Sequence, residues 1–473
     1  MTIRRRYLWL LLLAMLLLSS QYGLHGDEAD NLLGGYRIAH GATLYTGYWS
    51  HHMPLPYYLA AGFAFVAGHD IILLRLAFAV VLWGYWLGIA QLLPNGVQRK
   101  RVVYIALAVA VVSPLIHAQM LMAETLAGYA LIGVVVLWTE CPAGWHPQRN
   151  TLILWTLLAV MVLSSLIYGY LAFALVLLGS WRYRDYRGAW VFSGGIIALA
   201  TVLCLSLIGI NPLIDHAYRY NAEVYAPYFG EPTSITGLLS GFAHYGQALV
   251  TRPDNPIVYA WIAGTLLALY AAVWWRRWWK AGFIVAITLL TFYPLYGSFR
   301  MKPHLTAHYL VAISLLIEGR RWLPYRYRPL QNGPIGAFLL IAGPVAIAVY
   351  IAVGLAIGQG RSLLDTPNPL RLQAQETVWI APQNTYGQLQ LADHLDNRFG
   401  FFLPWMASES DGAVQGLTQD PPTAILVDLD WRGYHFAEYA PTLWAWINTH
   451  YTERNGVYWH TTRAMQNKEN DDG

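Results

Sequence analysis

Long apolar runs, divided by short polar or basic stretches, fill the first 357 residues. Runs of roughly 18 residues or more can cross a bilayer, so the pattern predicts an α-helical polytopic membrane domain over 1–357. The basic stretches set its direction, because Lys and Arg in short loops stay on the cytoplasmic side. Arg4, Arg5 and Arg6 hold the N-terminus inside, and "YLWLLLLAMLLLSS" carries the first span outward to about Leu24. Residues 27–53 then form a first outer loop. "PLPYYLAAGFAFVAG" is short and opens on Pro, which suits a helix lying in the outer interface rather than a span. Residues 71–93 return to Arg99, Lys100 and Arg101. Residues 102–117 go out and 120–138 come back to the loop "TECPAGWHPQRN".

The cytoplasmic look of "WRYRDYR" forces residues 151–181 into an outward-and-back pair turning near Ser164 and Ser165. Residues 189–210 exit, and 211–256 make a long outer loop rich in Tyr, Pro and Asn. Four more spans, 257–273, 281–298, 307–318 and 333–357, bring the expected total to about eleven. The outer loops on this reading are 25–70 and 211–256. Residues 358–473 change character and predict a small soluble α/β domain on the outer, periplasmic side. Its strands are "TVWIAP", "TAILVDLDW" and "GVYWHTT"; its helices are "NTYGQLQLADHLDNR" and "HFAEYAPTLWAWINTHY".

Composition agrees. The chain is 56% hydrophobic and only 12% charged, about half the charge of a soluble domain. Its 21 Trp and 32 Tyr suit many membrane interfaces. A net charge of +4, spread over inter-helix loops, does not call for nucleic acid. Cys141 falls in a loop and Cys204 in an apolar run, which suggests neither a disulfide nor a cysteine metal site. The N-terminus also looks like a secretory signal. The lack of a small-x-small cleavage site before Asp27 favours an uncleaved first helix.

Charge is scarce, so its placement is informative. "HGDEADNLLGG", residues 25–35, sets Asp27, Glu28 and Asp30 just outside the first span. The same topology gathers His25, His51, His52, Arg75, His117 and Glu124 at the outer side. The long loop adds Asp215, His216, Arg219 and Tyr220, and the turn "FRMKPHLTA" adds Arg300, Lys302 and His304, with His308 one turn on. An ionisable residue at membrane depth must offset its desolvation with a partner, which makes it a functional candidate.

In this order, the segment from "DEADNLLGGYRIAHGATLYTGYW" through "PLPYYLAAGFAFVAGHDIILLRLAFA" resembles the opening of the GT-C membrane glycosyltransferases. The nearest patterns are the protein O-mannosyltransferase-like enzymes and the lipid A aminoarabinose transferases. "MLMAETLAGYALIGVVVLW" and "FRMKPHLTAHYLVAISLL" resemble their fourth and late helices, and the terminal α/β domain fits too. The resemblance implies an inverting transferase in the bacterial inner membrane. It would move a monosaccharide from polyprenyl phosphate to a glycan, lipid or protein acceptor at the outer face. Asp27 matches the catalytic acid of the family, with Glu28 and Glu124 beside it. Arg75, Arg300 and Lys302 would receive the donor phosphate, and Asp30, Tyr220, His304 and His308 would line the acceptor side.

This sequence also departs from the family. His52 and Met53 stand where the aminoarabinose transferases carry Glu-Lys, so a phosphate-facing Lys is missing. His52 stands where the family can place a metal ligand, which leaves room for a divalent cation with His308; no other cofactor is implied. Asp30 stands where an Arg is usual, which leaves donor and acceptor open. Each candidate has an ordinary alternative. The acids tolerate an outer loop, Arg75 can snorkel to headgroups, and Glu124 suits a helix start. His304 and His308, four apart, can serve hydrogen bonding. Asp428 and Asp430 share a strand face, but nucleotide sugars are absent outside. A transporter, a scaffold without chemistry, and a glycan ligase or polymerase remain rival readings. Few charges sit at mid-bilayer, where transport sites usually lie.

Overall fold

The computed structural model describes residues 3–21, 25–228 and, toward the C-terminus, 370, 372, 375–381, 391–396, 402–431, 433–454 and 456–461. The four expected spans beyond residue 256 lie outside the described residues. So does the turn with Arg300, Lys302, His304 and His308.

Among the described residues, nine helices run from Ile3 to Ile208: α1 Ile3–Ser19, α2 Gly26–Ala39, α3 Leu55–Ala67, α4 Ile71–Leu92, α5 Gly96–Ile116, α6 Ala123–Glu140, α7 Pro147–Ser164, α8 Gly169–Arg182 and α9 Arg187–Ile208. Polar side chains cap α4 and α5 where their apolar runs begin. Asp70 accepts from the Ile72 and Leu73 amides at 2.8 and 3.0 Å, and Asn95 from Val97 and Gln98 at 3.1 and 3.0 Å, which answers orphan donors at the heads of α4 and α5. α7 ends at Ser164, followed by a 3₁₀ turn at Leu166–Tyr168, where the outward-and-back pair was expected to turn.

Among the described residues, Ile71–Leu92 and Arg184–Ile208 are long and apolar enough to cross a membrane. At 22 residues, α4 reaches about 33 Å. α9 leaves Phe192, Leu199, Leu203 and Leu207 exposed. Such a face suits lipid better than water. Four shorter apolar helices accompany them. The expected inner end is basic. Arg101 meets Glu140 at 3.4 Å, Arg99 donates to the Leu93 carbonyl, Arg149 to Leu92 and Arg182 to Cys141. These cations answer carbonyls left open where α4 and α6 end.

Two stretches expected as loops are helical. The first is α2, inside the expected 27–53 loop. The ring of His25 accepts from the Asp27 amide at 3.3 Å, and two acids occupy the first turn, where the helix field favours them. Gly34 and Gly35 form the packing face. A Cβ on Gly34 would lie 2.5 Å from the Tyr57 ring, and one on Gly35 would lie 2.3 Å from Ala60 Cβ. Their small size lets α3 lie directly on α2. The second stretch opens the expected 211–256 loop. Ile210–Leu213 continue as helix, Ile214–Tyr225 widen into a π-helix, and Ala226–Tyr228 add a last turn.

Among its described residues, the C-terminal part holds a four-stranded sheet in the order β1-β2-β6-β5: β1 Val378–Ala381, β2 Ala424–Val427, β5 Tyr451–Arg454 and β6 Val457–His460. β1 and β2 are parallel, and the other pairings are antiparallel. β3 Asp430–Trp431 and β4 Tyr434–His435 form a separate hairpin. Three expectations change. "TAILVDLDW" is two strands, because Asp428 turns back to accept from the Asp430 amide at 3.2 Å. "HFAEYAPTLWAWINTHY" is Phe436–Tyr439 and then Pro441–His450, since Pro441 takes a first-turn position and cannot continue a helix, and Tyr451 already belongs to β5. Of the expected 384–398 helix, residues 391–396 form a turn and a bridge. The Val378 amide donates to His394 O and the Asp396 amide to Val378 O, both at 2.8 Å, which pairs the outer edge of β1.

Apolar residues of this part, among them Leu370, Ile380, Leu391, Leu395 and Met406, join the core built by α1–α8. A second cluster around Trp379, Phe402, Phe436 and Leu443 fills the sheet's other side.

Candidate functional site at the head of α2

Glu28 and Asp27 are chain neighbours in the first turn of α2, so about 100° of helix separates their side chains. Glu28 points inward, fully buried (0% exposed), and pairs with the guanidinium of Arg75, itself 3% exposed, on α4. The other Glu28 oxygen accepts from the Leu121 amide at 3.2 Å. Arg75 also donates to the Ser20 carbonyl at the end of α1 at 3.4 Å. One turn along α2, Asn31 donates to the Leu121 carbonyl at 2.9 Å. Thus α1, α2, α4 and the α5–α6 connection meet at one carboxylate. Neutralising Glu28 or removing Arg75 would leave a charge without its partner in a dry site, which is costly.

Asp27 points the other way and is 47% exposed, 3.7 Å from His25 Nδ1. The His25 ring lies 5.5 Å from that of His117, at the end of α5. Three residues beyond Leu121, Glu124 stands half-buried in the first turn of α6. The expected acids and Arg75 therefore gather at one end of the helices, opposite the basic end.

Asp30 has a different setting. It is 3% exposed and takes hydrogen bonds from the hydroxyls of Tyr48, at 2.5 Å, and Tyr57. Ser50 Oγ lies 2.7 Å from the Tyr57 hydroxyl and accepts from the His52 amide at 3.0 Å. Burial pushes the Asp30 carboxyl up to about 7, against the two tyrosine hydrogen bonds, with the Asp27 charge adding to the rise. Burial, with Asp30 beside them, likewise pushes the Tyr48 and Tyr57 hydroxyls well above their ordinary range. Asp30 thereby ties α2 to α3 and to the loop between them.

That loop faces residues 214–225. The Tyr220 ring lies 5.2 Å from Trp49 and 5.9 Å from His51, and Tyr225 lies 5.0 Å from His51. His216 stacks on Tyr45 at 5.6 Å, and Asn221 donates to the His51 carbonyl at 2.6 Å. The His52 ring packs on His51 at 4.1 Å, and its carbonyl accepts from Tyr45. Among the described residues, no group of three or more His, Cys, Asp or Glu could hold a metal ion; His308, the expected second ligand, is outside them.

The sequence reading missed Asn31, Tyr48, Tyr57, Trp49 and Asn221. Asn31 carried a signal, lying three residues after Glu28 on the same helix face. The tyrosines carried none, because their partner Asp30 is 18 and 27 positions away.

No protein-family model matches this chain, and no curated protein does. A solved structure similar in chain trace is the archaeal oligosaccharyltransferase AglB from Archaeoglobus fulgidus, in complex with an inhibitory peptide and a dolichol-phosphate. The likeness covers 97% of this chain and 75% of that one, at 13% identity and a TM-score of 0.47. It is a distant likeness of shape and transfers no residue role.

Proposed function

We propose that this chain is an inverting membrane glycosyltransferase that moves a monosaccharide from a polyprenyl-phosphate donor to a glycan, lipid or protein acceptor at the outer face of a bacterial inner membrane. One observation carries the reading. The buried Glu28–Arg75 pair fixes the first turn of α2 and leaves the adjacent Asp27 half-exposed at the helix head. A carboxylate held on a rigid turn and open to one side is what a general base needs to meet an incoming hydroxyl.

In the proposed reaction Asp27 takes the proton of the acceptor hydroxyl. The acceptor oxygen bonds to C1 of the sugar as the C1–O bond to phosphate breaks. The polyprenyl phosphate departs with the bonding electron pair. A single displacement inverts C1. Developing charge on the phosphate oxygen calls for cations nearby; Arg300 and Lys302 are the proposed contacts, and Arg75, buried against Glu28, is proposed to contribute its field rather than a direct contact. Glu28 acts through Arg75 and the Leu121 amide as a positioning residue, and Glu124, in the first turn of α6, is the proposed second acid. Tyr220, His304 and His308 are proposed for the acceptor side, and His52 for a divalent cation.

The test is Asp27→Asn. The variant should reach the membrane and melt like the parent, because Asp27 makes no buried contact that the fold needs. Release of polyprenyl phosphate coupled to sugar transfer should fall by roughly 10²–10⁴-fold, the usual worth of a general base. Transfer at the parental rate would rule Asp27 out as the base. Vesicle uptake without a covalent product would favour a transporter.

A further inference from the structure

We infer that residues 210–225 form an amphipathic strap bedded in the outer surface of the phospholipid bilayer, with lipid as the partner of the side bearing Ile210, Ile214 and Tyr218.

Side chains four apart fall nearly in line in a helix of this kind. Residues 214–225 therefore sort into four stripes, and each has a distinct surrounding. His216 and Tyr220 meet the rings of Tyr45, Trp49 and His51. On the next stripe, Ala217 and Tyr225 are buried and Asn221 holds the His51 carbonyl. The following stripe, Ile214 and Tyr218, is apolar and exposed, at 40% and 59%, and Ile210 extends it at 46%. The last, Asp215, Arg219 and Glu223, is charged and exposed, with Asp215 and Arg219 paired at 2.8 Å.

The strap thus presents protein, apolar and water-facing sides in rotation, the pattern of a helix lying at a membrane surface. Continuity names the apolar partner. The strap follows α9, whose exposed Leu199, Leu203 and Leu207 run toward the same end; Leu207 is 90% exposed. Gly209, at φ +98°, makes the bend between them. That left-handed conformation costs glycine little. A residue in that conformation cannot continue the α-helix, so α9 ends there and the apolar residues of the strap follow directly on the span's end. Tyr218, with an apolar ring and a polar tip, suits the headgroup level.

The experiment uses the full-length chain in lipid nanodiscs of phosphatidylethanolamine and phosphatidylglycerol. Exposed Cys204 is replaced by Ser and buried Cys141 is left in place. Nitroxides are attached singly through Ile214→Cys, Tyr218→Cys, Arg219→Cys and Glu223→Cys. These positions are exposed, so the labels disturb no buried contact. Power saturation should give a collision ratio of oxygen to a water-soluble nickel chelate that is severalfold higher at 214 and 218 than at 219 and 223. Equal, water-like ratios at all four would overturn the inference. Low access to both relaxers at 214 and 218 would also overturn it. With dipolar broadening, that result would assign the side to a second copy of the chain; without broadening, to the chain's own protein surface.

Discussion

Two adjacent acids, Asp27 and Glu28, separate into a half-exposed and a fully buried group because one residue step rotates a helix by about 100°. The sequence marked both as candidates. It did not say which of them the fold holds, since that depends on Arg75, 47 positions on. Asp30 separates further, into a carboxyl whose burial favours its protonated form. Its folded value of about 7 lies above its ordinary 3.8, so between those values the unfolded chain releases the proton while the folded chain keeps it. The group therefore lowers stability as pH rises through that window and adds no further slope above it. Asp30→Asn is neutral throughout; its Oδ1 can accept from one of the two tyrosines while its Nδ2 donates to the other hydroxyl. Its melting temperature in detergent should fall less than the parent's from about pH 4 to pH 7. Identical slopes in the two proteins would show that Asp30 is ionised in the fold.

At the scale of elements, the α2–α3 pair decides how α2 is held. Gly35 allows the two helices to touch, since any side chain there would collide with Ala60 and with the backbone at Ala61. Gly35→Val should therefore destabilise the chain by about 1–3 kcal/mol, the usual cost of overpacking. Thermal unfolding in detergent reads the change. Gly62→Val on α3, where an added Cβ meets nothing within 4 Å, is the control and should melt near the parent. The apolar runs that became α4, α7, α8 and α9 were legible from length and hydropathy. α2 was not: its pattern is short, carries three acids and contains a Gly-Gly step. Those features mark a loop unless a neighbouring helix supplies the packing.

At the scale of the molecule, the C-terminal sheet is seated on the head of the helical part. The Tyr36 hydroxyl donates to the Asp393 carboxylate, and Arg37 donates to the Ala392 carbonyl at 3.2 Å. Both contacts land on the 391–396 turn that pairs the edge of β1. Burial, together with Asp393, pushes the Tyr36 hydroxyl up to about 12, which keeps it a donor. Tyr36→Phe removes a hydrogen bond to a charged group, worth about 1.5–3 kcal/mol. Amide exchange at Val378 and Asp396 should speed by about tenfold or more, since 1.4 kcal/mol is a factor of ten. Unchanged exchange would mean that the turn is held by its own contacts and not by α2. This seat links the C-terminal sheet to the helix that carries Asp27 and Glu28.

The sequence alone determined what depends on local pattern: where the apolar runs lie, which end is basic, where the acids cluster, and that an α/β part follows the helices. Each of these rests on composition or spacing within about twenty residues. The tertiary structure decided which acid is buried and which is open, that Asp30 binds two tyrosines, that residues 210–228 are helical, and that the 391–396 turn completes β1. These depend on partners tens to hundreds of positions apart. The energy of such contacts comes from shared burial, which no local window contains.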